Sequence, residues 1–271
     1  MEQAAYTSAV IKVGTNTCTK KNGRLHKKVI HSLTDQTMTV NDHIKNVFLV
    51  TSGAVAAGRK AYGVVKTPDE DADTKGMYSS CGQPILMNKY RRRLKNKHDC
   101  RAHQILVTKE NFSGERSKTL LGRLRKISES NARGLPIFNE NDAIADDEIG
   151  NKEKKFTDND ELAGLLAGLV HADVVVLLTN VVGVMEDKDD DSTLIPEITP
   201  ETQAENRRFV VAGASKDGSG GMDSKYDTAC RLANMGITVY IANGREKDVL
   251  TRILINRKRI GTVFTPKLAD V

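Results

Sequence analysis

The chain contains no tryptophan, and its aromatic residues amount to only 4% of 271 positions. Proteins that bind single-stranded nucleic acid stack bases on aromatic side chains, so a nucleic-acid partner is not expected. Cysteine is equally sparse. Cys18, Cys81, Cys100 and Cys230 lie far apart with no C-x-x-C spacing, which excludes common zinc and dithiol motifs and leaves reduced, buried thiols as the expectation. No apolar run approaches the ~20 residues of a membrane span. Met1-Glu2-Gln3-Ala4-Ala5 lacks the basic-then-apolar pattern of a secretory signal, so a cytoplasmic location is expected. Neither G-x-x-x-x-G-K-[S/T] nor G-x-G-x-x-G occurs, so a nucleotide would have to be held in another way. The six histidines are scattered, and none is assigned a role.

What is present reads as a soluble α/β protein, with 39% hydrophobic and 28% charged residues. The net charge of +6 is concentrated in Arg91-Arg92-Arg93, Lys95 and Lys97. That run continues a helix-like segment and reads as a solvated face. An acidic stretch, Glu186 to Asp191, offsets it and reads as a mobile surface loop. Ala9-Val13, Val47-Val50, Gln104-Val107, Leu135-Phe138, Val174-Leu178 and Ile237-Ile241 are short apolar runs without strict alternation, as in strands covered on both faces. Between them, Leu120, Leu124 and Ile127 recur at helical spacing, as do Ala163, Leu166, Ala167 and Val170, and Tyr226, Ala229, Cys230 and Ala233. The predicted fold is α/β, a largely parallel central sheet with helices on both faces, and a soft boundary falls near Ala172.

Three glycine-bearing turns stand where strands should meet helices: Gly14-Thr15, Ser52-Gly53, and the run Gly218-Ser219-Gly220-Gly221-Met222-Asp223-Ser224-Lys225. Each is either a tight connection or a cradle in which backbone N–H groups approach an anion. Lys12 closes an otherwise apolar strand, where a buried ammonium calls for an anion unless it reaches solvent. Lys225 lies in the first turn of a helix, the unfavourable end for a cation. Asn139-Glu140-Asn141-Asp142 and Thr157-Asp158-Asn159-Asp160 add a dense set of carboxylates and carboxamides. Taken singly they would serve as an Asx-rich turn and an N-cap. With two lysines and glycine turns they fit phosphoryl transfer, which depends on positioning and charge neutralisation.

These segments, together with Gly82-Gln83 and Val50 through Gly58, occur in an order that resembles the amino acid kinase family. The resemblance runs from about Ala9 to Gly261-Thr262-Val263-Phe264. It implies a three-layer sandwich in a single domain spanning 1–271, with an acceptor lobe over about 1–172 and a nucleotide lobe over about 173–271. It further implies transfer of phosphate from ATP, with Mg²⁺ carried on its phosphates, to the side-chain carboxylate of L-glutamate, the first step of proline biosynthesis. By the same resemblance Ser52, Gly53, Asp142 and Asn159 hold glutamate, Lys12 and Lys225 neutralise the transferring group, and Asp160 orients both lysines. Thr179, Asn180 and the stretch Ser219 to Lys225 hold the nucleotide, and no residue is assigned as a metal ligand. A homo-oligomer and feedback inhibition by proline are also implied. The RNA-modification-type domain found at the C-terminus of many members has no counterpart before Val271, so a kinase domain alone is expected.

Three positions depart from the family pattern. Thr179-Asn180 stands where Thr-Asp is usual, Gly183-Val184-Met185 where Gly-Leu-Tyr is usual, and Asp223 where a small hydroxyl residue is usual. Two other functions remain open: a kinase of the same fold acting on aspartate, N-acetylglutamate, carbamate or a nucleoside monophosphate, and a non-catalytic homologue that binds glutamate or proline.

Overall fold

A computed structural model describes residues 5–67, 70–144, 156, 158–212 and 221–267. Among the described residues eight strands form one sheet: β1 Ser8–Val13, β2 Asn46–Val50, β3 Arg101–Val107, β4 Gly134–Glu140, β5 Val174–Thr179, β6 Glu197–Ile198, β7 Thr238–Asn243 and β8 Thr262–Phe264. Their spatial order is β3-β4-β2-β1-β5-β7-β8-β6. All pairings are parallel except β7 with β8. The central strands are buried on both faces, which is why they read as unbroken apolar runs. All six residues of β1 are buried, as are all six of β5.

Helices cover both faces: α1 Thr15–Cys18, α2 Lys27–Asn41, α3 Ala54–Ala61, α4 Ala72–His98, α5 Gly114–Ser128, α6 Asn159–Leu169, α7 Gln203–Ala212, α8 Met222–Asn234 and α9 Val249–Leu254. Alternate side chains of a strand face opposite ways, and two hydrophobic clusters follow from this. Ala9, Ile11 and Val13 pack with Leu33 of α2, Leu86 and Tyr90 of α4 and Leu250 of α9. Val10 packs on the other face with Leu124 of α5, Leu162 and Leu166 of α6 and Tyr226 of α8. Lys12 is in phase with Val10, so its side chain points toward the face covered by α6 and α8. The direct pairing of β1 with β5, Ala9 opposite Val174 through Val13 opposite Leu178, carries the sheet across the boundary expected near Ala172.

Several expectations need revision. Asn139 and Glu140 belong to β4 and are buried, so half of the polar run is sheet rather than loop. The acidic stretch lies on the surface as expected, and internal bonds close it: Met185 bridges Leu194, Asp187 accepts from Asp189 N at 3.0 Å and Asp190 from Ser192 N at 2.9 Å. Strands β6 and β8, only two and three residues long, had no apolar run to reveal them. Cys81 and Cys230 are only partly buried, unlike Cys18 and Cys100.

Candidate active site

At the C-terminal end of β1 the side chain of Lys12 meets Asp160 of α6, with Nζ 2.6 Å from Oδ1. Lys225 of α8 reaches the other oxygen, Oδ2, at 3.1 Å. All three groups are buried, at 3% exposure for Lys12, 0% for Asp160 and 5% for Lys225. The local sequence explains the meeting. Asp158 caps α6 by accepting from the N–H groups of Asp160 and Glu161 at 2.7 and 3.0 Å, which starts the helix where Asp160 falls in its first turn. A carboxylate is favoured at that position by the helix dipole, whereas the Lys225 ammonium in the first turn of α8 is opposed by it. Burial, followed by the nearby Lys12 charge, pushes the Lys225 pKa below the usual lysine value, against the pull of Asp160. Two ammonium groups thus share the Asp160 carboxylate out of water, with the Asp158 charge also acting on Lys225.

Backbone turns flank this triad. Gly14 N donates to Leu178 O at 3.1 Å, and a Cβ at Gly14 would stand 3.1 Å from that oxygen and 3.8 Å from Lys12 Nζ. Gly53, with φ +103°, is the N-cap of α3, a left-handed conformation that favours glycine. It presents the buried Ser52 beside α6, and Asn159 Nδ2 donates to Ser52 Oγ at 2.9 Å and to Asn139 Oδ1 at 3.1 Å. Asn159 Oδ1 is buried and has no hydrogen-bond partner among the described residues, so an acceptor stands ready beside the triad.

Asp142 is anchored from α4, where Ser79 Oγ donates to Asp142 Oδ2 at 2.7 Å. One turn later Gln83 Nε2 donates to Glu140 O at 3.2 Å, while its buried Oε1 has no partner among the described residues. Sequence reasoning quoted Gly82-Gln83 but assigned it no role, and it passed over Ser79. Their spacing of four was the available signal, because it places both on one helical face. Cys18 Sγ donates to Ser52 O at 3.0 Å, and burial pushes this thiol's pKa up to about 12. It is a packed donor, not a nucleophile.

Of the residues expected to hold the nucleotide, Thr179 ends β5 and is buried, whereas Asn180 is exposed just beyond it. Gly221 is the N-cap of α8, and Met222, Asp223 and Ser224 occupy its first turn with Lys225. Ser219 and Gly220 lie outside the described residues, as does Thr157. Among the described residues no three His, Cys, Asp or Glu side chains converge as metal ligands, and no helix is long and apolar enough to cross a membrane.

A mostly parallel sheet ending in a buried lysine pair and glycine turns defines an α/β protein built to bind anions at the carboxyl ends of its strands. Residues 8–243 match the Amino acid kinase family, and the chain belongs to that family. It is 37% identical over 267 residues to the protein named glutamate 5-kinase of Chlorobaculum tepidum, covering 97% of this chain and 70% of that one. The protein of the same name from Bacteroides thetaiotaomicron is 35% identical over 251 residues, covering 92% and 67%. Among solved structures, the UMP kinase of Bacillus anthracis superposes with a TM-score of 0.62 over 98% of both chains. At 14% identity that likeness concerns the fold.

Proposed function

We propose that the chain transfers the γ-phosphoryl group of Mg-ATP to the side-chain carboxylate of L-glutamate, giving L-glutamyl 5-phosphate and ADP. A carboxylate oxygen bonds to the γ-phosphorus as the bond to the β,γ-bridging oxygen breaks and its electrons leave with ADP. The nucleophile is ionised at neutral pH, its reference pKa being about 4.3, so no general base is needed. The obstacle is repulsion between two anions. One observation carries the proposal: Asp160 holds two buried ammonium groups, Lys12 and Lys225, together at the strand end, where they can receive the transferring group. Relatives that align over nearly the whole chain and carry the name glutamate 5-kinase support the acceptor.

In this reading Asp160 orients the lysines, and Gly14 lets a phosphate oxygen approach the backbone. Ser52, Gly53, Asn159 and Asp142 hold glutamate; Asn159 Oδ1 accepts from its ammonium, and Asp142, fixed by Ser79, pairs with the same charge. Thr179, Asn180 and the stretch Ser219 to Lys225 hold the nucleotide, with Mg²⁺ arriving on the phosphates as part of the substrate. The acceptor lobe, about 1–172, and the nucleotide lobe, about 173–271, then meet at the β1–β5 pairing. A cytoplasmic location, a homo-oligomeric state and inhibition by proline complete the proposal.

Release of ADP in the presence of each candidate acceptor tests it. L-Glutamate is expected to drive turnover and N-acetylglutamate to fail, because acetylation removes the charge that Asp142 would pair with, a loss of ~1–3 kcal/mol or more. Equal turnover of both would refute the acceptor assignment, and no turnover with any acceptor would favour a binding homologue.

A further inference from the structure

On the outer face of α2 and α4 two cavities, of about 500 and 190 Å³, adjoin and share His31 and Arg93. Six lysine or arginine side chains line them against two carboxylates, Asp35 and Asp248. Asp35 is already saturated. It accepts from Arg93 Nε at 2.8 Å, Lys97 Nζ at 2.7 Å and His98 Nε2 at 2.9 Å. Burial alone would raise its pKa, but these bonds overcome that and hold the carboxyl well below the usual carboxylate range. Lys27, Lys28, Lys89 and Arg92 line the same cavities and make no ion pair with a described carboxylate.

A second observation points the same way. Lys27 and Lys28 open α2, whose first turn carries no acidic residue and whose N-cap residue, His26, makes no side-chain cap. Two cations therefore sit at the positive end of a fifteen-residue helix, an arrangement that opposes the helix dipole and that a bound anion would reverse. His31, one turn on, is kept below its usual pKa by burial and then by Arg93 and Lys27, a sign of the same positive field. The cluster is separate from the phosphoryl-transfer site: Arg93 lies fourteen residues beyond Ser79 on α4, about 21 Å along the axis at 1.5 Å per residue.

We propose that the α2–α4 cavities form a binding site for a small polyvalent phosphate, seated between Lys28, His31, Arg92 and Arg93, with Lys27 and Lys89 at its edges. A compact ligand fits better than a nucleic acid, because the cations gather around two cavities and no Phe, Tyr or Trp lines them to stack a base.

The test is calorimetric titration with inorganic tripolyphosphate at fixed ionic strength, on the whole chain and on the double variant Lys28→Ala/Arg92→Ala. Both residues are exposed, so the variant should fold and keep its phosphoryl-transfer activity. The expected result is saturable binding by the unaltered chain that weakens about tenfold or more in the variant, since two charge-assisted contacts are removed. Unchanged affinity in the variant would place the anion in the nucleotide site and overturn the proposal. So would the absence of binding beyond that of equivalent sodium chloride, or tighter binding of a single-stranded oligonucleotide that the double variant abolishes.

Discussion

At the scale of single residues, the proposed chemistry turns on Lys12, Asp160 and Lys225. Removing either ammonium should cost transition-state stabilisation: Lys12→Ala and Lys225→Ala are each expected to lower kcat by ~10²-fold or more at saturating substrates. Stability should respond differently to each partner. Lys225→Met removes one of the two ammonium groups beside Asp160 while keeping apolar volume, and its Tm is expected to fall less than that of Asp160→Asn. Asp160→Asn removes the carboxylate that both buried ammonium groups share and should cost about 3–5 kcal/mol. Thermal melts alongside steady-state kinetics separate these outcomes. A Lys225→Met variant that loses Tm while keeping kcat would make that lysine structural. Asn180 calls for a different measurement. It keeps an acceptor oxygen but lacks the charge of the usual Asp. Asn180→Asp is expected to alter the KM for ATP while leaving the KM for glutamate within about twofold, a change under ~0.4 kcal/mol. A large shift in glutamate KM alone would mean that the two lobes are wrongly assigned.

At the scale of elements, the proposed acceptor side depends on how closely α3 and α4 approach. A Cβ on Gly82 would lie 2.6 Å from Gly58 N and closer still to the Ala54 carbonyl oxygen, and one on Gly58 would overlap the Tyr78 carbonyl. The helices therefore touch backbone to backbone, which brings Ser79 and Gln83 of α4 against the end of β4. Gly82→Ala is expected to destabilise the fold by about 1–3 kcal/mol or more and to raise the KM for glutamate through displacement of Ser79 from Asp142. A denaturant melt and glutamate kinetics would show both, and an unchanged melt would mean that the contact relaxes without cost. This junction also marks where sequence reasoning stopped. The buried strands announced themselves because their neighbours are apolar on both sides, and Lys12 and Lys225 stood out as charges in the wrong place. Ser79 did not, because a serine in a helix gives no signal until the partner Asp142, 63 residues away, is placed beside it. Strands β6 and β8 were silent for a related reason: at two and three residues they owe their pairing to the sheet and not to any local preference.

At the scale of the whole molecule, the one sheet joins both halves, and the long-range pairings of β1 with β2 and β5 bring together groups that are scattered along the chain. The net charge of +6 suits a protein whose proposed substrates are both anions, since a positive field raises their encounter rate and weakens with salt. Composition conveyed this much, but the basic run from Arg91 was read only as a solvated face. The structure ties Arg93 and Lys97 to Asp35, 58 and 62 residues away in sequence, a contact no local pattern could reveal. The central claim concerns the product, an acyl phosphate on the side chain of glutamate. Hydroxylamine intercepts such a product as the 5-hydroxamate and leaves free glutamate untouched, so trapping with Mg-ATP and L-glutamate addresses it most directly. The account predicts hydroxamate in amounts equal to the ADP released, and none when N-acetylglutamate replaces glutamate. ADP released with L-glutamate but without hydroxamate would contradict it.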